Sequence, residues 1–393
     1  MSRVLVLIPS LAGVGGSESL VHSLSGVLAA DHQVYHASFD APGTERNLAS
    51  AIPFHAIGPG LRLPLALRPF NYLLLALRLW RLKRRLGIDV TISNLWGADL
   101  ISALSLGRDK KISLGLINIR GNPTNRLMLR FRDLVGAIYR RFDRVLAICS
   151  PLALELQELY AIDPSRLGTF RNFVPTVFPR PVWPADSVKR FVFCGRMVPE
   201  KNLDALLHAW ASATCGHERC QLVVLGGGDL LDQSTALARA LGLNVGTEPD
   251  DQAADVLFLG MVDRAQDYMA GARAFVLPSR HEGVPTVLLL ALSLGLPVMA
   301  ADCLAGGVRD VLEEGALKCP EGWEEVAAGL LLPVPDQENR ATMAPWTTAI
   351  GRLALDDEAH ARWVAGALAL SASYGEEAVR AAWTDEIKRL DPA

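Results

Sequence analysis

The sequence has no long apolar run. Stretches such as Tyr72 to Leu77 fall far short of the ~20 residues that a membrane-spanning helix needs. It has no Cys-x-x-Cys pair either. Its six cysteines (Cys149, Cys194, Cys215, Cys220, Cys303, Cys319) stand singly in apolar strings, which predicts reduced core thiols in a cytosolic protein and argues against a zinc site. No metal-ligand cluster is apparent, so the expected metal is none and the expected cofactor is none. Net charge is nearly absent: 39 Lys+Arg against 42 Asp+Glu leave −3. The opening Met1–Pro9 carries one basic residue and a short apolar run ended by proline, as in a buried strand and unlike a secretory signal. What is present is ordinary for a folded protein, with 50% hydrophobic and 21% charged residues.

A length of 393 residues, at ~150 per domain, predicts two domains. The small net charge conceals a split. Residues 1–180 carry 22 basic and 12 acidic side chains, a balance of +10, and the remainder balances at −13. Halves of opposite sign are suited to different partners, although uneven surface charge without function reads equally well. The first half alternates apolar runs (4–8, 34–37, 89–93, 112–118, 144–148) with helix-period stretches (17–30, 68–86, 97–106, 124–141). Val174–Ser187 then holds Pro175, Pro179, Pro181 and Pro184, too many for a helix or a central strand. Strand-like runs resume at 190–194, 221–225, 256–259, 274–277 and 298–301, and a mostly helical tail covers 338–390. Alternation of this kind predicts α/β architecture: two Rossmann-like, doubly wound parallel sheets facing a central cleft, with ligands at the carboxyl ends of the strands. The expected divisions are a first domain 1–174, a linker 175–187, a second domain 188–375, and a C-terminal helix 376–393 packing back towards the first domain.

Three segments carry chemistry. Gly13, Gly15 and Gly16, with Ser17 and Glu18, follow the first strand and open a helix. Glycines allow close backbone approach and a helix N-terminus attracts anions, but a plain strand-to-helix turn looks the same. The G-x-G-x-x-G dinucleotide spacing is absent, and no acid follows strand two in the expected place. Next, a strand ends at Gly195, and Arg196 and Lys201 flank a helix start with Pro199 near its first turn. Two cations beside a helix N-terminus suit a diphosphate; the alternative is two surface cations beside a cap. Finally, Pro278-Ser279-Arg280-His281-Glu282-Gly283 ends another strand and leads into a buried helix that Gly295 stops. Glu282 there could grip sugar hydroxyls, or serve only as a helix N-terminal charge.

Together with Gly226-Gly227-Gly228-Asp229, Phe258-Leu259-Gly260 and the Gly306-Gly307 turn, these segments resemble, nearly end to end, glycosyltransferase family four, the retaining group with the two-domain GT-B fold. The resemblance implies a nucleotide-sugar donor held by the second domain. Arg196 and Lys201 would neutralise its diphosphate beside Gly195, and Gly260, Met261 and Val262 would meet the base. Glu282, with His281, Gly283, Val284, Pro285 and Thr286, would surround the sugar. Gly15 and Gly16 would approach the phosphates, and no metal is implied. One position departs from the family pattern. Leu290 stands where a second glutamate normally holds the ribose, a loss of ~1.5–3 kcal/mol if that bond is not replaced. On the acceptor side the family's histidine is not evident; Asn94, Asn118 and Arg120 are candidates, or ordinary loop polarity.

Basic residues crowd Arg62 to Arg85 with no acid among them, and again Arg120 to Arg144 against only Asp133 and Asp143. With Leu73, Leu77 and Trp80 at helical spacing, these stretches fit an anionic membrane surface or a solvated face on a packed helix. No nucleic-acid module is recognisable. The expected activity is a retaining hexosyl or N-acetylhexosaminyl transfer to a glycan or lipid-linked acceptor in cell-surface polysaccharide or glycolipid synthesis. The expected location is cytoplasmic, peripheral on the inner membrane face. The rivals are a non-catalytic partner subunit of the same fold, motivated by Leu290, and a sugar-nucleotide epimerase.

Overall fold

The computed structural model describes the chain except residues 12–15, 41–51, 60–67, 116–125, 175–176, 185, 214, 217, 314–321 and 391–393, and gives only the backbone of 16–19, 68–69 and 126–127. The chain divides into two compact units, Met1–Pro175 with Gly375–Ala393, and Thr176–Tyr374. The proposed residues Gly15, Asn118 and Arg120, and Arg62 of the first basic stretch, lie outside the described residues.

In unit 1 the elements run β1 (Arg3–Ile8), α1 (Gly16–Ala29), β2 (Gln33–Ser38), β3 (Phe54–Ala56), α2 (Arg68–Leu86), β4 (Val90–Asn94), α3 (Trp96–Leu104), β5 (Lys110–Gly115), α4 (Arg126–Arg130), α5 (Arg132–Tyr139), β6 (Arg144–Ala147), α6 (Ser150–Tyr160) and β7 (Leu167–Thr169). The seven described strands form one parallel sheet in the order β3-β2-β1-β4-β5-β6-β7. The continuous apolar run of β1 is explained by cover on both faces. Val4, Val6 and Ile8 join the core under α1, whereas Leu5 and Leu7 join the core under α2 and α3. Alternation along the strand divides one apolar run between two cores. The stretch 124–141, read as one helix, breaks instead into α4 and α5 at Phe131, whose φ of −110° and ψ of 36° leave the helical region.

Unit 2 continues with β8 (Lys189–Cys194), α7 (Leu203–Ser212), β9 (Cys220–Leu225), α8 (Leu231–Ala240), β10 (Val245–Gly246), β11 (Val256–Gly260), α9 (Ala265–Met269), β12 (Ala274–Leu277), α10 (Thr286–Ser293), β13 (Val298–Ala301), α11 (Gly307–Glu313), β14 (Glu324–Val326), β15 (Gly329–Leu332), α12 (Arg340–Leu355) and α13 (Asp357–Ala372). Its sheet has the order β10-β11-β9-β8-β12-β13-β15-β14, and only the β14–β15 pair is antiparallel. The proline-rich stretch is fastened to this unit: Arg180 N donates to Asp267 Oδ1 at 2.8 Å and Trp183 Nε1 to the Tyr268 carbonyl at 2.7 Å. Cys215 and Cys220 are free thiols, both half-buried.

The last helix, α14 (Glu376–Leu390), belongs to unit 1. Val379, Trp383, Ile387 and Leu390 recur at helical spacing and enter the core beside Leu20, Leu24 and Leu28. Ion pairs Arg144–Glu386 and Arg380–Asp31 fix its register. Both units are therefore doubly wound α/β sheets, as the alternation predicts.

Candidate functional site

In unit 2 the chain winds outward from β8 through β9 to β11, then returns to lay β12 on the other side of β8. Two neighbouring strands whose connections leave in opposite directions open a crevice at their carboxyl ends. The loops there are 195–202 after β8 and 278–285 after β12, the segments singled out by sequence.

Glycine makes these loops compact. Gly195 N donates to Leu225 O at 3.0 Å, Gly226 N to Gly260 O at 2.7 Å, and Met197 N to Gly227 O at 2.8 Å. Gly226 has φ +121°, and a Cβ on it would sit 1.9 Å from the Gly195 carbonyl oxygen. Only glycine fits that crossing. Gly260 also has positive φ, +66°. The next residue, Met261, is 82% exposed. Gly307 packs so tightly on the 281–285 loop that a Cβ would lie 1.7 Å from Gly283 O.

The two loops are also joined by polar contacts. Buried Asn202, in the left-handed region with φ 57°, spends its Nδ2 on Pro278 O at 3.2 Å and Pro335 O at 2.9 Å. Arg280 N donates to Glu200 O at 2.8 Å. Lys201 and Glu282 form an ion pair with side chains only 18% and 11% exposed, and buried Ser279 donates its hydroxyl to the same Glu282 oxygen at 2.7 Å. The diphosphate candidate and the sugar candidate thus touch one another. Arg196, by contrast, is exposed and has no ion pair among the described residues. Burial pushes the Cys194 thiol up to about 11 against the opposing charge of Lys201, and the Cys303 thiol up to about 12 with Glu282 adding to the effect.

The remaining proposed residues sit around this pair. His281 forms a parallel bridge with Leu304, and its shielded Nε2 has no hydrogen bond among the described residues. Gly283 is half-buried, and Val284 and Pro285 are buried. Thr286 is exposed at the first turn of α10, and Leu290, on the same helix, is half-buried. Val262 is half-buried after β11, and Gly16 begins α1 in unit 1. Among the described residues no group of three His, Cys, Asp or Glu side chains could hold a metal.

Unit 1 places Asn94 fully buried at the carboxyl end of β4. Beneath it lies a polar cluster that sequence reading missed. Buried Asp99 on α3 accepts from Ser93 Oγ at 2.5 Å, and burial pushes its carboxyl up to about 7 against that hydrogen bond. The signal available was a lone acid among apolar residues of a short helix. An acid stands two residues beyond β2. It is Asp40, whose carboxylate accepts from Leu11 N at 2.8 Å and Ser38 Oγ at 2.9 Å and so fastens the β1 loop. Sequence also gave no sign of buried Arg309, which pairs with Asp302, Glu313 and Glu324 behind the Gly306–Gly307 turn.

Comparison with known proteins gives family matches to both units. Residues 14–178 match the model for Glycosyltransferase Family 4, and residues 188–342 that for Glycosyl transferases group 1. An uncharacterized glycosyltransferase of Haemophilus influenzae is 23% identical over 351 residues, covering 86% of this chain and 92% of its own. Among solved structures, the HepE protein of Anabaena in complex with UDP aligns over 98% of this chain and 100% of its own, with TM-score 0.74 and 16% identity. The apo form of a lipopolysaccharide outer core galactosyltransferase, WaaB, aligns over 98% and 99%, with TM-score 0.70 and 17% identity.

Proposed function

The chain belongs to family 4, the group 1 glycosyl transferases, and from that premise we propose that it moves a sugar from a nucleotide diphosphate to a glycan or lipid-linked acceptor, with retention at the anomeric carbon. The observation that carries this reading is the ion pair of Lys201 with Glu282 at the switch point of unit 2, with exposed Arg196 on the same loop as Lys201.

Sugar transfer is limited by the departure of the diphosphate. As the anomeric bond breaks, negative charge accumulates on the phosphate oxygens, and cations already in place lower that barrier without reorganising. Arg196 forks onto those oxygens and Lys201 adds a point charge. With the charge neutralised by these two side chains, no step in this scheme requires a metal. A leaving phosphate oxygen receives the acceptor's proton on the same face, so no second carboxylate is needed as base. Glu282 accepts from hydroxyls of the transferred hexose or N-acetylhexosamine, and Ser279 holds its carboxylate in place.

A lipid-bearing acceptor agrees with α2, where Phe70, Leu73 and Leu77 are exposed at helical spacing beside exposed Arg81 and Arg84. That is the pattern of a helix lying on an anionic bilayer, and it supports the reading of a peripheral place on the inner membrane face. Among the described residues no helix is long and apolar enough to cross a membrane. Vesicle sedimentation should depend on anionic lipid; equal binding to neutral vesicles would dismiss this part.

A binding screen of nucleotide sugars tests the main reading, followed by Arg196→Ala and Lys201→Ala. Each should weaken nucleoside diphosphate binding by roughly ten- to a hundredfold. Unchanged affinity in both would reject the site. Leu290 favours a second reading, a partner subunit without catalysis, which the screen would support by finding no nucleotide sugar bound.

A further inference from the structure

A second cavity, of about 500 Å³, lies in unit 1 between the edge strand β3 and helix α2. Its size is within the range of small-molecule sites. Phe54, His55 and Ile57 form one wall, and Arg78, Arg81 and Arg85 the other, with no carboxylate in the lining among the described residues. The three arginines stand at i, i+3 and i+7, so the helix presents them on one face.

Among the described residues none of the three has an ion pair. Arg78 donates through Nη1 to the carbonyls of Ile57 at 3.2 Å and Pro59 at 3.3 Å, which fixes its position without pairing its charge with a carboxylate among the described residues. Arg81 and Arg85 are exposed and have no ion pair among the described residues. His55 joins them, with a shielded Nε2 that takes no hydrogen bond among the described residues. Burial, and then the charge of Arg85, hold that imidazole below its ordinary pKa. Three arginines lining one cavity are of like charge and favour an anion among them, and their planar forks match phosphate oxygens.

We propose that the β3–α2 cavity binds a phosphoryl group, as a site of its own in unit 1 that does not depend on the donor loops of unit 2. The ligand is a phosphate ester whose anionic oxygens meet Arg78, Arg81 and Arg85 and whose remaining polar atoms reach His55. Two sources share that chemistry. Because the exposed Phe70, Leu73 and Leu77 run along the adjoining face of the same helix, a lipid headgroup would enter from a bilayer touching that face; a soluble phosphate ester would enter from water.

The test follows the His55 side-chain signal by NMR, assigned with His55→Gln, as inorganic pyrophosphate is added. Lys201→Ala serves as the background, which weakens the cation site of unit 2. The His55 signal should move and saturate, and the dissociation constant should rise at least about tenfold in Arg81→Gln/Arg85→Gln, both exposed positions outside the core. A still signal, or the same constant in the double variant, overturns the proposal. Vesicles then identify the source. If phosphatidic acid vesicles displace pyrophosphate from His55 and phosphatidylcholine vesicles do not, the ligand is a lipid headgroup. If neither displaces it, the ligand is a soluble phosphate ester. A double variant that loses vesicle binding while His55 never responds to pyrophosphate reduces the arginines to a general basic surface and also overturns the site.

Discussion

Replacing Glu282 by Gln should separate two functions of one carboxylate and move them in opposite directions. In the free protein Glu282 holds Lys201 in an ion pair that is largely shielded from water. Two unit charges at ~4 Å attract by ~4 kcal/mol at the effective dielectric of ~20 that describes such sites. A diphosphate that recruits Lys201 must compete with this attraction. If screening leaves ~1–2 kcal/mol of it, releasing Lys201 should tighten nucleoside diphosphate binding roughly five- to thirtyfold. Transfer should move the other way. A carboxamide cannot give the sugar hydroxyls a charged hydrogen bond, a loss of ~1.5–3 kcal/mol and so roughly a ten- to hundredfold fall in kcat/KM. The glutamine oxygen still accepts from Ser279, so the loop keeps its anchor. Calorimetry with UDP and GDP, and initial rates with the nucleotide sugar selected by the screen, measure the two quantities. Diphosphate affinity that falls together with turnover would refute the reasoning, because Lys201 would then need Glu282 to bind phosphate at all.

Gly307→Ala would place a methyl carbon 1.7 Å from the Gly283 oxygen; the overpacking should cost ~1–3 kcal/mol, read as a lower Tm by calorimetry, with donor binding reduced alongside. For Asp99→Asn the sign follows from a folded-state pKa raised by burial from the ordinary carboxylate value of 3.8 to about 7. Between those values the unfolded chain has lost a proton that the folded chain keeps, so this carboxyl makes wild type less stable as pH rises through that window. The variant's Tm should therefore gain on wild type from pH 4 to 7 and hold its lead above that, and a constant difference would contradict the assignment. Leu290→Glu should strengthen nucleotide-sugar binding about tenfold or more if the ribose contact is missing, and no gain in calorimetry would mean the ribose is held elsewhere.

The central strands were legible because burial on both faces demands uninterrupted apolar runs, as in Val4–Ile8 and Phe191–Phe193. The edge strands were not. Phe54–Ala56, Leu167–Thr169 and Glu324–Val326 have three residues each, too few to show a period of two. The strand Gly329–Leu332 is fully buried yet escaped notice because leucine has no β-branch and reads as a helix former. The break at Phe131 escaped for the opposite reason: the helical period of 124–141 continues across it.

The glycine loops of the site were legible for a different reason, since a glycine states in its own identity that backbone must pass closely or turn left-handed. Charge carries no such statement. Lys201 and Glu282 lie 81 residues apart and meet only because β12 pairs beside β8 rather than beyond β11. That adjacency decides which cations remain available. Arg196 and Lys201 look alike as charges in a sequence, and unit 2 as a whole is acidic, but one cation stands exposed and the other is already occupied by a carboxylate. The same holds in unit 1, where Arg144 is taken by Glu386 while Arg81 and Arg85 are left without a partner among the described residues. Anion sites form where topology leaves cations uncompensated, and Arg196 at the β8–β12 switch point and Arg81 and Arg85 at the β3–α2 cavity are where phosphate is expected.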